Sequence, residues 1–146
     1  MYVSRLRRRF WHGGGAPLIA TVRGVGYVLD ADVDGVRIVL AGDVEPEAQR
    51  ALLAAEPGLR ADVLKVPHHG SVHQDADLLR GLGARVALIS AGADNSYGHP
   101  APATIDLLDG ADAEVLRTDV DGSIAVVRTT GDGLGVVTGG PRVAPS

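Results

Sequence analysis

Three of the five histidines fall in the segment "KVPHHGSVHQD", residues 65–75, and two of them, His68 and His69, are adjacent. Neutral imidazole is the commonest metal-binding side chain in proteins. The chain contains no cysteine, so any metal would have to be bound by His, Asp or Glu. The segment therefore suggests a metal site, but such a site needs further ligands from elsewhere in the chain.

Two other polar clusters also follow apolar segments. Asp43 ends "VRIVLAGD", and a second group follows "RVALIS": Asp94, Asn95, Tyr97 and His99. In α/β sheets, ligands bind outside the carboxyl ends of the strands. If the strands are neighbours, we expect these clusters to meet at one edge, where a divalent metal could bind and Asp43 could bridge two ions.

Each cluster also has a purely structural interpretation. A Gly-Asp pair after a strand is commonly a turn, and adjacent histidines in an acidic domain are commonly surface residues. The Gly-His-Pro segment at 98–100 is also compatible with turn chemistry alone. Only the placement of all three clusters at strand ends favours a shared site.

The spacing of apolar residues and the positions of turn-forming residues predict the strands and helices that position these residues. Apolar strands are predicted at 36–41, 62–66, 85–89 and 113–119, and helices at 45–56, 75–83 and 102–111. Asp-Gly pairs predict one hairpin at 33–36 and a second, terminal hairpin flanked by 121–122 and 132–133. Continuous apolar strands between short amphipathic helices predict an α/β fold in which helices cover a sheet.

Composition and charge limit the classes of protein. The chain has 146 residues, 45% of them hydrophobic, which suits one domain or two small pieces. No apolar run reaches the roughly 18 residues of a transmembrane helix, and no signal peptide is recognisable. Residues 1–29 carry five arginines and no acid, whereas the remainder carries nine basic and 18 acidic residues, a net charge of −9. This break suggests two segments of different origin.

Residues 27–127 resemble the C-terminal part of the metallo-β-lactamase-type domain of ComEC, the competence protein for DNA uptake. The resemblance lies in "GVRIVLAGDVEPEAQRALL", "LRADVLKVPHHGS", "RVALISAGADNSYGHPAP" and "EVLRTDVDGSIAVV". It implies a βααβ-sandwich hydrolase that binds two divalent ions, Zn or Mn, and degrades a nucleic-acid strand. The expected fold here is α/β, a partial metallo-β-lactamase-like half sandwich with an N-terminal helix and a wing-like hairpin.

The same resemblance implies roles for individual residues. Asp43 would be the bridging metal ligand and His69 the histidine ligand, with His68 beside it as a supporting residue or proton donor. Ser71, Asn95 and His99 would line the substrate side. The family's motifs H-x-[HD]-x-D-H and D-V-G-Q-G-D, which precede the Gly-Asp, do not occur in this chain. We therefore expect a metal to be weakly bound or absent, and the chain to be inactive by itself.

The segments "YVSRLRRRF" and "PLIATVRGVGYVL" resemble the end of an OmpR/PhoB-type winged-helix domain of response regulators. The resemblance implies DNA contacts from Arg5, Arg7, Arg8, Arg9 and Arg23. A solvated basic helix is the plainer interpretation. Three phosphate contacts would give weak duplex binding, with a slope of log affinity against log salt of roughly −2.7.

The predicted organisation is a winged-helix-type fragment at 1–29, a ComEC-type part at 30–140 and a disordered tail at 141–146. The first hypothesis is a truncated metal-dependent hydrolase. The alternatives are a DNA-binding regulator module and a non-functional chimeric remnant. Expected partners are nucleic acid and, because half a sandwich leaves one sheet face uncovered, a second copy of the chain. The expected location is bacterial and cytoplasmic or otherwise soluble, although the parent ComEC domain belongs to an inner-membrane protein.

Overall fold

A computed structural model of the chain describes residues 19–22, 26–33, 35–131 and 133–140. The predicted N-terminal helix, the tail and all five arginines assigned to DNA lie outside these residues. Two strands of the predicted wing, Ile19–Val22 and Gly26–Val33, are described and pair antiparallel. None of the helices in the described ranges is long and apolar enough to cross a bilayer.

Six strands form one sheet whose spatial order is the order in the chain. They are β1 (Ile19–Val22), β2 (Gly26–Val33), β3 (Val36–Leu40), β4 (Val63–Lys65), β5 (Val86–Ile89) and β6 (Glu114–Arg117). The first three pair antiparallel, and β2 turns directly into β3, with Val33 opposite Val36, as the Asp-Gly pair predicts. From β3 to β6 the strands are parallel, so their carboxyl ends lie at one edge.

Three helices connect the parallel strands, and a fourth, short helix follows them. They are α1 (Pro46–Ala55), α2 (Ala76–Leu82), α3 (Pro102–Asp109) and α4 (Thr118–Asp121). Proline occupies the first turn of α1 and α3, where its missing N–H costs nothing. Helix α2 begins where the Asp75 side chain accepts a hydrogen bond from the backbone N–H of Leu78 at 2.9 Å, and it ends at a left-handed Gly83.

The first three helices cover one face of the sheet. Their apolar residues pack with the strand residues that point the same way, among them Val39, Leu64 and Ile89, all fully buried. The α/β class predicted from the sequence is thereby confirmed. The three helices predicted at 45–56, 75–83 and 102–111 are also confirmed, with ends that differ by one or two residues; the four-residue α4 was not predicted.

Part of the opposite face of the sheet is covered by the terminal hairpin, β7 (Ile124–Arg128) with β8 (Leu134–Thr138). Alternate residues of the hairpin, including Ile124, Val126, Leu134 and Val136, pack on Val63, Val86 and Leu116 of the sheet. The expectation that this face would be left uncovered is therefore wrong for these residues. The hairpin itself was predicted, but nothing local indicated that it folds back across the sheet.

Candidate functional site

The carboxyl ends of β3, β4 and β5 bring three loops together at one edge of the sheet. The backbone N–H of His68, after β4, donates to the carbonyl of Gly42, after β3, at 2.9 Å. The N–H of Ala101 donates to the carbonyl of Gly70 at 2.8 Å. The predicted convergence of the polar clusters is confirmed, since these hydrogen bonds join the loops that carry them.

The two adjacent histidines have an unusual backbone conformation. His68 has φ 45° and ψ 46°, and His69 has φ 54° and ψ 23°, within a 3₁₀ turn that spans Pro67–Gly70. The left-handed region costs a non-glycine residue about 1–2 kcal/mol. Such strain persists only where surrounding contacts hold it, and it concentrates at functional sites.

The ring of His69 is oriented by Ser90, which follows β5. Its Nδ1 atom lies 2.7 Å from the Ser90 carbonyl oxygen and 3.1 Å from the Ser90 hydroxyl. Because a carbonyl can only accept, Nδ1 must carry the proton, which leaves an unprotonated Nε2 in the neutral ring. Nε2 faces Asp43 Oδ1 at 3.7 Å. Two acceptors that face one another are suited to share a cation, and metal-binding histidines are commonly held through the other ring nitrogen in this way.

His68 and His99 lie beside this pair. The His68 Nδ1 atom lies 2.7 Å from Glu45 Oε1, but this buried nitrogen has no partner that meets hydrogen-bond geometry. The rings of His68 and His99 meet edge to face, with centroids 5.6 Å apart. The predicted proximity of Asp43, His69, His68 and His99 is confirmed; their chemical roles stay predictions.

Lys65, the only lysine of the chain, ends β4 next to this site. Partial burial lowers its pKa below the ordinary value, and the negative charge of Asp43 opposes that effect. Lys65 is absent from the site residues predicted from the sequence. A signal was present, because one lysine among 14 basic residues stands immediately before the Val-Pro-His-His segment.

Asn95 holds the loop that carries His99. Its Nδ2 atom donates to the carbonyls of Gly92 at 2.8 Å and His99 at 2.7 Å, and its Oδ1 accepts from the His99 N–H at 3.3 Å. Both polar ends of the amide are therefore occupied within the loop. Asn95 lines the cleft, and its amide hydrogen bonds fix the shape of the loop. The neighbouring Asp94 is exposed.

Ser71 does not reach the cleft. It is 1% exposed, its hydroxyl accepts from the His73 N–H at 3.2 Å, and its carbonyl accepts from the Thr104 hydroxyl at 2.7 Å. The expectation that Ser71 lines the substrate side is corrected accordingly: helix α3 packs over it, and it supports the turn from beneath.

A cleft of about 390 Å³ opens at this edge, lined by His69, Asn95, Tyr97, His99 and Thr118 among others. The Thr118 hydroxyl donates to the Ala91 carbonyl and accepts from the Ala91 N–H, both at 2.8 Å, which ties the start of α4 to the loop after β5. Within the described ranges, no group of three or more His, Cys, Asp or Glu residues could hold a metal ion. Asp43 and His69 thus provide a pair of donors.

Comparison with known proteins places the chain beside competence proteins. It is 37% identical over 110 residues to "ComE operon protein 3" of Bacillus subtilis (strain 168). The aligned region covers 75% of this chain and 14% of that protein. It is also 28% identical over 103 residues to "Competence protein ComA" of Neisseria gonorrhoeae. This aligned region covers 69% of this chain and 15% of that protein. The chain thus spans about one seventh of the length of these relatives. No protein-family model matches the chain, and no solved structure matches it significantly.

Proposed function

We propose that the chain carries part of a metal-dependent hydrolase of the metallo-β-lactamase type that acts on nucleic acid in competence DNA uptake. The similarity to two competence proteins supports the biological setting. The observation that carries the chemistry is the geometry of His69, whose Nδ1 proton is committed to Ser90 while its free Nε2 faces Asp43 at 3.7 Å.

In this proposal Asp43 and His69 bind a divalent ion, which when bound supplies a Lewis acid and lowers the pKa of a bound water. The Ser90 carbonyl keeps the His69 ring in the tautomer that can act as a ligand. His68 and His99 lie beside the pair and are the proposed proton donors or acceptors of the site. The Asn95 amide holds His99 in place through the loop.

Two protein donors are fewer than the three that a catalytic zinc site ordinarily uses. The full centre therefore needs ligands from beyond the residues described here, and the isolated chain is proposed to bind metal weakly and not to hydrolyse nucleic acid. This agrees with the absence of the H-x-[HD]-x-D-H string from the sequence.

Calorimetric titration of the chain with Zn²⁺ and Mn²⁺ tests the ligand pair. Weak binding, with a dissociation constant above the micromolar range, is expected for the unaltered chain and is expected to vanish in both Asp43→Ala and His69→Ala. The control is Asp94→Ala, which removes an exposed carboxylate from the neighbouring loop and should leave binding unchanged. Equal affinity in all four proteins would refute the proposed ligands.

A nuclease assay on single-stranded DNA, run with each metal, tests the second half of the proposal. No cleavage is expected from the chain alone. Metal-dependent cleavage that disappears in His69→Ala would show that the site is complete without further ligands, and would overturn the inactivity but not the hydrolase chemistry.

A further inference from the structure

Tyr97 is far more exposed than any other large hydrophobic side chain in the described part of the chain. Its exposed fraction is 82%, against 58% for Val72 and Val137, the next highest values. It lies in the loop after β5, at the mouth of the cleft of about 390 Å³ that also contains His69. Because the ring is exposed to water beside a cleft, a ligand that covers it would gain the free energy of burying a large aromatic surface.

The ring of Tyr97 has a ring neighbour in His99. It stacks on His99 at a centroid distance of 6.4 Å and an interplanar angle of 21°, and His99 in turn meets His68 edge to face. Asn95 closes the same loop with hydrogen bonds to Gly92 and His99. A row of three rings thus runs from the histidine turn to solvent, and the exposure of Tyr97 leaves most of its ring open to a ligand.

The cleft has the volume of a small-ligand pocket, which suits one unit of a polymeric ligand. Its volume of about 390 Å³ lies at the lower end of the ~300–1,000 Å³ typical of small-ligand pockets. A second cleft of about 380 Å³ shares Ala91, Gly92 and Thr118 with it and continues to Ser123. The two together make an extended path that passes Tyr97 at one end.

Charge does not favour a nucleic-acid backbone along this path. Asp43 and Asp119 lie at the site and at the second cleft, and the chain after residue 29 has a net charge of −9. Stacking on an aromatic ring is the contact that remains available, because every base has a π-face and the interaction needs no counter-charge.

We propose that Tyr97 is the stacking platform for one unpaired nucleobase, and that it selects single-stranded over duplex nucleic acid at this site. The proposal rests on the nucleic-acid substrate of the proposed function, and it adds the residue and the strand form that are recognised. In a duplex both faces of each base are already stacked on neighbours, so only a splayed base can cover the exposed ring of Tyr97.

Fluorescence anisotropy with a labelled single-stranded oligonucleotide, in the presence of EDTA so that no metal contributes, tests the proposal on the full chain. Tyr97→Ala is expected to weaken binding about ten-fold, within the ~5- to 150-fold range of a single base stack. Tyr97→Phe and Tyr97→Trp are expected to bind as well as the unaltered chain. Val72→Ala, which shortens an exposed side chain outside this cleft, is the control and should change nothing.

A matched oligonucleotide of abasic sites separates stacking on a base from attraction to the backbone, including attraction by the basic N-terminal segment. The unaltered chain should bind it about as weakly as Tyr97→Ala binds the base-containing strand. Equal affinity of Tyr97→Ala and the unaltered chain for the base-containing strand would overturn the proposal. So would a Tyr97→Ala substitution that weakens binding equally to the base-containing and the abasic strand. Equal affinity of the unaltered chain for the two strands would overturn it as well. Because no metal is present, failure here leaves the titration of Asp43 and His69 as an independent test of the proposed function.

Discussion

Gly70 is the residue at which the strained histidine turn meets the core. Its φ is +77°, and a Cβ built on it would lie 2.8 Å from Pro100 Cβ and 3.3 Å from Ile89 Cγ2. Glycine is therefore required here twice, once for its backbone conformation and once for space. The close contact with Pro100 also sets the loop of His99 directly against the turn of His68 and His69.

Gly70→Ala is expected to destabilise the protein by about 2–4 kcal/mol, the sum of left-handed strain and steric overlap. The matched control is Gly83→Ala, which has a φ of +62° but nothing within 4 Å of the added Cβ. It should lose only about 1 kcal/mol. Urea denaturation of both variants measures the difference, and equal losses would show that the contact with Pro100 is not tight.

Lys65→Met is expected to raise stability at neutral pH. The pKa of Lys65 is lowered by burial, so the folded state disfavours the charged form, and the cost is fully present at pH values below the folded pKa. The unfolded chain binds more protons between the folded pKa and the ordinary value of 10.5, so wild-type stability recovers as pH rises through that window. The gain from the substitution should shrink accordingly.

The gain for Lys65→Met should be under about 1 kcal/mol, because water screens a side chain that is only partly buried. Chemical denaturation at pH 7 and at pH 10 measures it, with Arg60→Met at an exposed position as the control. A gain that is constant across this range, or a loss at pH 7, would mean that burial does not disfavour the charged lysine.

At the scale of elements, Gln49 of helix α1 and Gln74 of the loop before α2 connect the histidine turn to α1. Gln49 is fully buried; its Nε2 donates to the Val44 carbonyl at 2.8 Å and to Gln74 Oε1 at 3.0 Å, and its Oε1 accepts from the Asp75 N–H at 2.7 Å. Gln74 Nε2 then donates to the carbonyls of Pro67 and Ser71. The start of α2 and both ends of the turn are thus connected to α1 by side-chain amides.

Gln49→Leu is expected to cost about 2–4 kcal/mol, because a buried carbonyl and a buried N–H each lose their partner. The adjacent substitution Arg50→Ala is the control: the Arg50 side chain is 62% exposed, and its contact with Asp75 is long at 3.7 Å, so under about 0.5 kcal/mol should be lost. Urea denaturation compares the two. Amide hydrogen exchange at Ser71 reports on the histidine turn. Unchanged protection of this amide in Gln49→Leu would mean that the glutamines do not stabilise the turn.

At the scale of the whole molecule, the sheet is covered by different structures on its two faces. Helices α1 to α3 cover one face and the β7–β8 hairpin covers part of the other. The predicted homo-oligomer stays a prediction, but its stated reason is weaker, since the face expected to be bare carries the hairpin. The outward residues of the hairpin remain exposed, Val127 by 42% and Val137 by 58%.

Two neighbouring valines of β7 test the role of the hairpin. Val126→Asp puts a charge between hairpin and sheet, and is expected to cost about 2–3 kcal/mol and to cause self-association by uncovering apolar surface. Val127→Asp points outward and should change stability by no more than about 0.5 kcal/mol. Sedimentation velocity and thermal unfolding of both variants check this. Similar behaviour of the two would mean that the hairpin does not protect the sheet.

The order and type of the elements were determined by the sequence alone, because they depend on local physics. Apolar runs separated by Pro, Gly and Asp-Gly turns indicated the strands, the three longer helices and both hairpins. They predicted that Asp43, His68 and His99 meet at one edge only if the strands are neighbours, and the structure supplies that order. Tertiary structure decided what each side chain does there. Ser71 is buried by Thr104, 33 residues away, and His69 takes its tautomer from Ser90, 21 residues away. Burial and hydrogen-bond direction depend on which distant residues pack together, and no local period or turn signal encodes that.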